Sequence, residues 1–573
     1  MRIRNLTASV GALILALGVV SAPAVARSPQ ASSPGRTRHV LLISVDGLHQ
    51  FDVVRCAATG LCPTIARLMA AGTTYTNAST SEPSDSSPGI MALVTGATPK
   101  LTGVYYDDSY DRTMYTPAAQ TASSTQDCSG PAGTETFYAE NIDANAPSTA
   151  NGGVGTRPIL NDTIDPTQLS YAKVGGSCVP VWPNDFLRTN SIFSVAHAAG
   201  LRTAWADKHP ATDQGVSGHG TPNTVDDPFM TEINADIIPA SLVDTRGRTV
   251  TFPLPNPTAD PNGFFITDSV GNTEAYDQIK VDAVLNQIDG ETSAGTGHPG
   301  TPAIFGMNFQ TVSVAQKLVD PILSCARSGN APTCDPGYVP GGYEPGSLAF
   351  TPQLAGAIRS VDAALGSLVA ELRARHLLSS TELIISAKHG QSPLDPAKLA
   401  KIGHAENTVI DAAGVTRAQT TDDDIALVWL ADQSQTTTAV NALLADQAGA
   451  NTAHTASVLS GAALEAQFGN PLTDPRTPDL FVEPIPGTIY SKSGAKVAEH
   501  GGFAPDDIHV ALNVVPGVRL NGQGHGSGRQ GTVVGTPVTT TQVAPTILEL
   551  LGLDPAALDG VKIEGTQVLP AGR

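Results

Sequence analysis

Three short stretches put polar side chains directly behind apolar runs. The first, Ile43-Ser-Val-Asp46-Gly47, sets a carboxylate and a glycine at the end of His39–Val45. A carboxylate there turns into the crevice beyond the strand and can hold a cation; the plain reading is a strand-to-loop turn. In the second, Pro83-Ser-Asp-Ser86-Ser-Pro88, the Ser86 hydroxyl lies at the start of an apolar helical run. Free N–H groups and the dipole at a helix start favour anions, so a nucleophile attacking phosphate is well placed there. The competing reading is a simple cap in a serine-rich loop. The third, Leu383-Ile-Ile-Ser-Ala-Lys388-His389-Gly390, follows a buried run with an imidazole and a glycine, and His500-Gly501-Gly502 and His525-Gly526 repeat the pair. Histidine is the commonest metal ligand, although one histidine alone is more often a core or surface residue.

Elements able to position these groups are legible around them. Continuous apolar runs at 39–45, 201–206, 303–309, 382–386, 425–430, 479–482 and 508–514 predict buried strands. Helical patterns occupy 63–71, 88–94, 352–375 and 541–551, three of them opening on proline, which costs no hydrogen bond in a first turn. Alternating strands and helices predict an α/β fold with a mainly parallel central sheet flanked by helices. Two stretches rich in Gly, Pro, Thr, Asn and Asp, 113–185 and 212–300, are expected to be loop-rich insertions walling the ligand crevice at the carboxyl ends of the strands.

The chain has 573 residues, 33 basic and 53 acidic, for a formal net charge of -20. An acidic surface repels nucleic-acid backbones and anionic membrane surfaces, so no nucleic-acid or membrane partner is expected. Residues 1–26 have Arg2 and Arg4, an apolar centre and a small-x-small end at Ala24-Val25-Ala26. This predicts a secretory signal peptide, a 27–38 linker, one domain over 39–573 and a secreted or periplasmic product. Six cysteines suit an oxidising compartment. Cys56/Cys62 and Cys325/Cys334 close short loops and leave Cys128 for Cys178; no C-x-x-C favours a zinc-thiolate site.

Taken in order, VDG, a hydroxyl before P-x-x-x-x-L-V-T-G, x-H-G and H-G-G resemble the type I phosphodiesterase/nucleotide pyrophosphatase family of the alkaline phosphatase superfamily. The closing run Thr541-Gln-Val-Ala-Pro-Thr-Ile-Leu-Glu-Leu-Leu-Gly also looks like that superfamily's last helix. The resemblance implies an alkaline-phosphatase-like fold and a secreted hydrolase of small phosphoric esters. It also implies a divalent metal cofactor, zinc, with paired ions stabilising the attacking and leaving oxygens. By residue-wise carry-over Ser86 is the nucleophile and a metal ligand, Asp46, His389 and His500 are further metal ligands, and Asp107 stands near a phosphate-binding asparagine of the family.

Departures from the pattern leave one or two ions open. Lys388 stands where the family has an aspartate. The Asp and His expected four residues apart are missing from Gly306 to Gln316, where Asn308 or Gln310 could offer only a neutral carbonyl. Lys388 can supply the charge of a missing ion, and Lys208 and His209 resemble the anion-holding Lys/His segment of the one-metal sulfatases. A one-metal sulfatase-like or phosphomonoester hydrolase, and a non-catalytic ligand-binding relative with a decayed metal site, are the alternatives. Ser86-Ser-Pro-Gly-Ile lacks the arginine of the sulfatase motif.

Overall fold

Strand His39–Val45 is buried along nearly its whole length, and its alternation divides the core. Leu41, Ile43 and Val45 face one side, where the helices Gln50–Thr59, Pro63–Ala71, Val270–Ile288, Thr311–Lys317 and Pro352–Ala374 cover them. Val40 and Leu42 face the other, against Ser86–Thr95, Ile192–Ala198 and Val543–Leu551. Each such side chain contributes roughly 1.5–3 kcal/mol on leaving water, which is why a run that is apolar on both faces settles between two helical layers. These relations come from a computed structural model that describes residues 37–137, 141–146, 156–160, 163–258, 265–318, 341–491, 496–520 and 531–570. The expected leader, most of the expected linker, His525 and the pair Cys325/Cys334 lie outside the described residues.

Eight strands form the main sheet, in the order Thr532–Val534, Thr73–Tyr75, Asn513–Pro516, Thr381–Ser386, His39–Val45, Ile304–Phe309, Ala204–Lys208, Asp227–Thr231. Asn513–Pro516 is antiparallel to both its neighbours, and every other pairing is parallel. The four central parallel strands therefore end on one edge. Registers Val45↔Phe309 and Ser44↔Ser386 bring Asp46, Asn308 and Lys388 to one level.

The 425–430 and 479–482 runs form strands, but outside the main sheet. They become the middle of a second, wholly antiparallel sheet, Arg417–Asp422, Ala426–Leu430, Leu480–Pro484, Thr455–Ser460. One face packs helices Ala405–Ala412 and Thr436–Ala448, and the other packs Tyr105, Tyr106 and Phe468. The expected loop-rich stretch 113–185 holds short hairpins and turns, stapled by the disulfide Cys128–Cys178; Cys56–Cys62 forms as well. The 212–300 stretch differs from expectation, since it contributes the edge strand Asp227–Thr231 and the 19-residue helix Val270–Ile288. Among the described residues no single helix is long and apolar enough to cross a membrane.

One core position predicts a pH effect. Glu382, part-buried next to the central strand, accepts a hydrogen bond from Thr37 Oγ1 at 3.4 Å, and burial holds its carboxyl up at about 7. Because the folded state binds this proton more tightly than the unfolded chain, its stability contribution is greatest below about pH 4.5 and is lost as pH rises through 7. Glu382→Gln is expected to remove about 1–3 kcal/mol of that decline, allowing for solvent access. Urea midpoints at about pH 5 and about pH 8 check it. Parallel pH profiles for the two proteins would contradict it.

Candidate active site

Asp46 leaves the central strand on a left-handed turn at Gly47, whose φ is 77°. A side chain at Gly47 would run into Gln316 and Gln391, so glycine is required there. The Asp46 carboxylate is fully buried, and its Oδ2 is ringed by hydrogen donors. Gln310 Nε2 lies at 2.5 Å, Asn308 Nδ2 at 3.2 Å, Lys388 Nζ at 3.6 Å and Lys208 Nζ at 3.8 Å. His389 Nε2 stands 3.6 Å away. Burial would raise this carboxyl, but the surrounding charges, Lys388 foremost and Lys208 with it, hold it well below the usual carboxylate range.

Ser86 opens the helix Ser86–Thr95, and Asp85 caps it by accepting from Ser87 N at 3.2 Å. Lys208 Nζ donates to Ser86 Oγ at 3.1 Å. The Ser86 helix lies directly on the backbone of Lys388, close enough that Gly89 could carry no side chain without meeting the Lys388 carbonyl. Lys388 Nζ in turn bridges Asp46 and Asp207 Oδ1, the latter at 3.4 Å, and Trp205 Nε1 holds the other Asp207 oxygen at 2.9 Å. Burial opposes the Lys388 charge, but Asp207 and Asp46 raise its pKa. Two ammonium groups thus flank one buried carboxylate beside the serine hydroxyl.

His389 donates Nδ1–H to the Gly390 carbonyl at 2.8 Å, which leaves the Nε2 lone pair toward Asp46. Burial lowers its pKa, and burial with Lys317 and His389 depresses that of His500 strongly, so both imidazoles are neutral at pH 7. Their ring centres lie 4.1 Å apart with the planes tilted by 39°. His500 Nδ1 faces Asp85 Oδ2 at 3.4 Å rather than Asp46. Burial lifts the Asp85 carboxyl to about 6.

A cavity of about 290 Å³ opens beside these groups, lined by Asp107, Lys208, Gln310, His389 and His500, with Ile233, Phe265, Val314 and Leu318 as an apolar wall. Five of the expected residues, Asp107, Lys208, His389, His500 and, through Lys208, Ser86, thus converge on one space, with Asp46 and Lys388 behind it. His209 is not among the lining residues; its Nδ1 pairs with buried Glu232 at 3.0 Å. Asp107 lines the cavity, and its backbone N–H donates to Asp85 Oδ1 at 2.9 Å. Sequence reasoning missed Asp207 and Asp85. Asp207 carried the same signal as Asp46, a carboxylate ending an apolar strand, and was masked by the cations after it. Asp85 precedes a helix by one residue, the usual mark of a cap.

Asp46 Oδ1, Asn308 Oδ1 and His389 Nε2 are buried without a hydrogen-bond partner, and so, beside them, are Asp85 Oδ2 and His500 Nδ1. With the Ser86 hydroxyl nearby, this oxygen and nitrogen set fits one divalent cation. The ligand set of the family's pair of ions is incomplete. Lys388 stands in place of a carboxylate ligand, and among the described residues no three imidazole, thiolate or carboxylate donors at this site come within mutual ligating reach.

The fold is shared with solved structures. Wild-type alkaline phosphatase PafA superposes with a TM-score of 0.54 at 12% identity, over 91% of this chain and 97% of that one. Murine ectonucleotide pyrophosphatase/phosphodiesterase 5 gives 0.49 at 14%, over 90% and 96%, and the human protein 0.49 at 13%, over 90% and 95%. No curated protein sequence matches the chain. The type I phosphodiesterase/nucleotide pyrophosphatase family model matches residues 40–232 and 341–503, running through the 113–185 stretch and breaking off within and beyond 212–300. With well over half of its length matched, and the Asp46 carboxylate, Ser86 hydroxyl and His389 and His500 imidazoles gathered on the edge where four parallel strands end, the chain belongs to the type I phosphodiesterase/nucleotide pyrophosphatase family.

Proposed function

We propose that the protein is an exported hydrolase of small phosphoric esters that uses Ser86 as its nucleophile. The observation that carries this is the Lys208 ammonium at 3.1 Å from Ser86 Oγ, at a helix start. A phosphate seated there meets the Lys208 charge and the free N–H groups of the first turn. Ser86 Oγ attacks phosphorus, the ester's alcohol departs, and water then hydrolyses the serine phosphate. Lys208 stabilises the serine oxygen as it loses its proton, and Lys388 offsets charge behind it. The apolar wall of Ile233, Phe265 and Leu318 suits an aryl or nucleoside group on the ester.

Asp46 and His389, with the Asn308 carbonyl and Ser86, are the residues that would hold a zinc ion. When bound it lowers the pKa of the serine hydroxyl and neutralises phosphate charge. His500 acts from beside this set, its ring against that of His389. The -20 charge of the chain argues against polyanionic nucleic acid, while Lys208 and Lys388 bring two ammonium groups to the space beside the Ser86 hydroxyl and the Asp46 carboxylate. The leader at 1–26 and the two disulfides support export.

Paired ammonium groups around a helix start also suit a sulfuric ester, so the test is a panel. Aryl phosphodiester, aryl phosphomonoester and aryl sulfate are assayed on zinc-loaded and chelated protein. Phosphodiester turnover that exceeds the other two and falls on chelation is expected. Preference for the sulfate selects the sulfatase-like reading, and inactivity on all three with no bound metal selects the ligand-binding one.

A further inference from the structure

A second group of ligating side chains lies in the smaller sheet, apart from the Ser86 crevice. His404 caps the helix Ala405–Ala412, Glu406 sits in its first turn, and Asp422 ends the strand Arg417–Asp422. Each offers one donor atom, and the three atoms lie within 4.8 Å of one another. His404 Nδ1 is 2.7 Å from Asp422 Oδ2. Glu406 is fully buried with its carboxyl against that of Asp422, and neither of its oxygens meets a side-chain N–H donor. Two carboxyl groups held together out of water are costly unless a proton or a cation is shared between them, and the adjoining imidazole makes a cation the better fit. The nearest guanidinium does not supply it, because Arg417 is spent on Asp411, with Nη2–Oδ2 at 2.8 Å and Nε–Oδ1 at 2.9 Å.

We propose that His404, Glu406 and Asp422 bind a divalent transition cation of the Zn²⁺ class. One imidazole and two carboxylates are a donor set that zinc accepts with water in the remaining positions, whereas calcium wants six or more oxygens. The surroundings are built for it: Asn407 Nδ2 lies 3.5 Å from the Asp422 oxygen, and Thr420 Oγ1 orients the same asparagine through its carbonyl at 2.9 Å. His404 is 63% exposed at its side chain, so an ion enters from a wide groove without unfolding the helix. The ion would fix the strand end that continues into Asp423, whose carboxylate lies 3.0 Å from the Tyr106 hydroxyl, itself 3.1 Å from the His500 carbonyl. A site outside the crevice is thereby joined to its floor.

Zinc bound per chain is measured after dialysis of the full-length protein, with thermal midpoints recorded with and without Zn²⁺. The variants are His404→Ala, Glu406→Gln and His389→Ala. Loss of one equivalent in His404→Ala and in Glu406→Gln is expected, together with loss of that site's share of the zinc-induced rise in midpoint, while His389→Ala keeps this equivalent. His404 is exposed and Gln is isosteric with Glu, so folded protein is expected in both cases. Unchanged zinc content in both variants overturns the proposal, and equal stabilisation by Ca²⁺ overturns the metal class. Because His389→Ala disables only the crevice set, failure of the Ser86 reading leaves this result interpretable.

Discussion

On the proposed reading, Ser86→Ala is expected to lower kcat about 10³-fold or more and to leave the fold and the binding of inorganic phosphate in place. The magnitude follows from removing the atom that forms the covalent bond. What remains is the positioning and charge of Lys208, Lys388 and the helix start, which sustain only residual catalysis. Stability should change little, since Ser86 Oγ has a single contact of note, the 3.1 Å bond from Lys208, and Asp85 rather than Ser86 caps the helix. Acid quenching during turnover should trap one phosphoryl group on the wild-type peptide containing Ser86 and none on the variant. Unchanged turnover in Ser86→Ala, or a phosphorylated peptide elsewhere, removes the serine from the nucleophile role.

The parts of this site that were legible in the sequence share one property: their position is set by local chemistry. Short apolar runs ending in Asp46, Lys208 and Lys388, and a proline-started helix behind Ser86, need only strand and helix rules to be placed on one sheet edge. What escaped depends on distant pairing or on burial that hides periodicity. The runs around 426–430 and 480–484 look like core strands of the main sheet, and only their antiparallel partners, 417–422 and 455–460, put them elsewhere. Helix Val270–Ile288 is buried on nearly every face, and no apolar stripe is visible because Asn272, Asp277, Lys280 and Asp282 are inside as well. Lys280 is tolerated there through Asp277 at 3.1 Å, the Asn308 carbonyl at 2.5 Å and the face of Tyr276 at 4.4 Å. The same helix thus anchors the strand that carries Asn308, a link no window of sequence contains. His209 shows the reverse error, since its neighbour Lys208 enters the crevice while a positive φ of 62° at His209 turns the chain and directs the imidazole to Glu232.

Lys388→Met separates the electrostatic role of the departed metal pattern from packing. Methionine matches the lysine stem, so the change removes little except the ammonium between Asp46 and Asp207, both fully buried. Two carboxylates left without their bridging cation are expected to cost about 3–5 kcal/mol of stability, and loss of a preorganised charge near the phosphate about 10²–10³-fold in kcat. The pH dependence identifies the cause. In the wild type Lys388 is the foremost group holding Asp46 below its unfolded pKa, a contribution present above about pH 4 and lost only as pH falls through the depressed folded value. In Lys388→Met burial dominates and Asp46 protonates more readily in the folded state than in the unfolded chain. The stability deficit is therefore largest at neutral pH and narrows on acidification as the carboxylate is neutralised. Urea unfolding of chelated protein at about pH 8 and about pH 5 reads this directly. A deficit that does not change with pH would place the role of Lys388 in packing, and a variant as stable and active as wild type would leave Lys208 as the sole ammonium that the reaction uses.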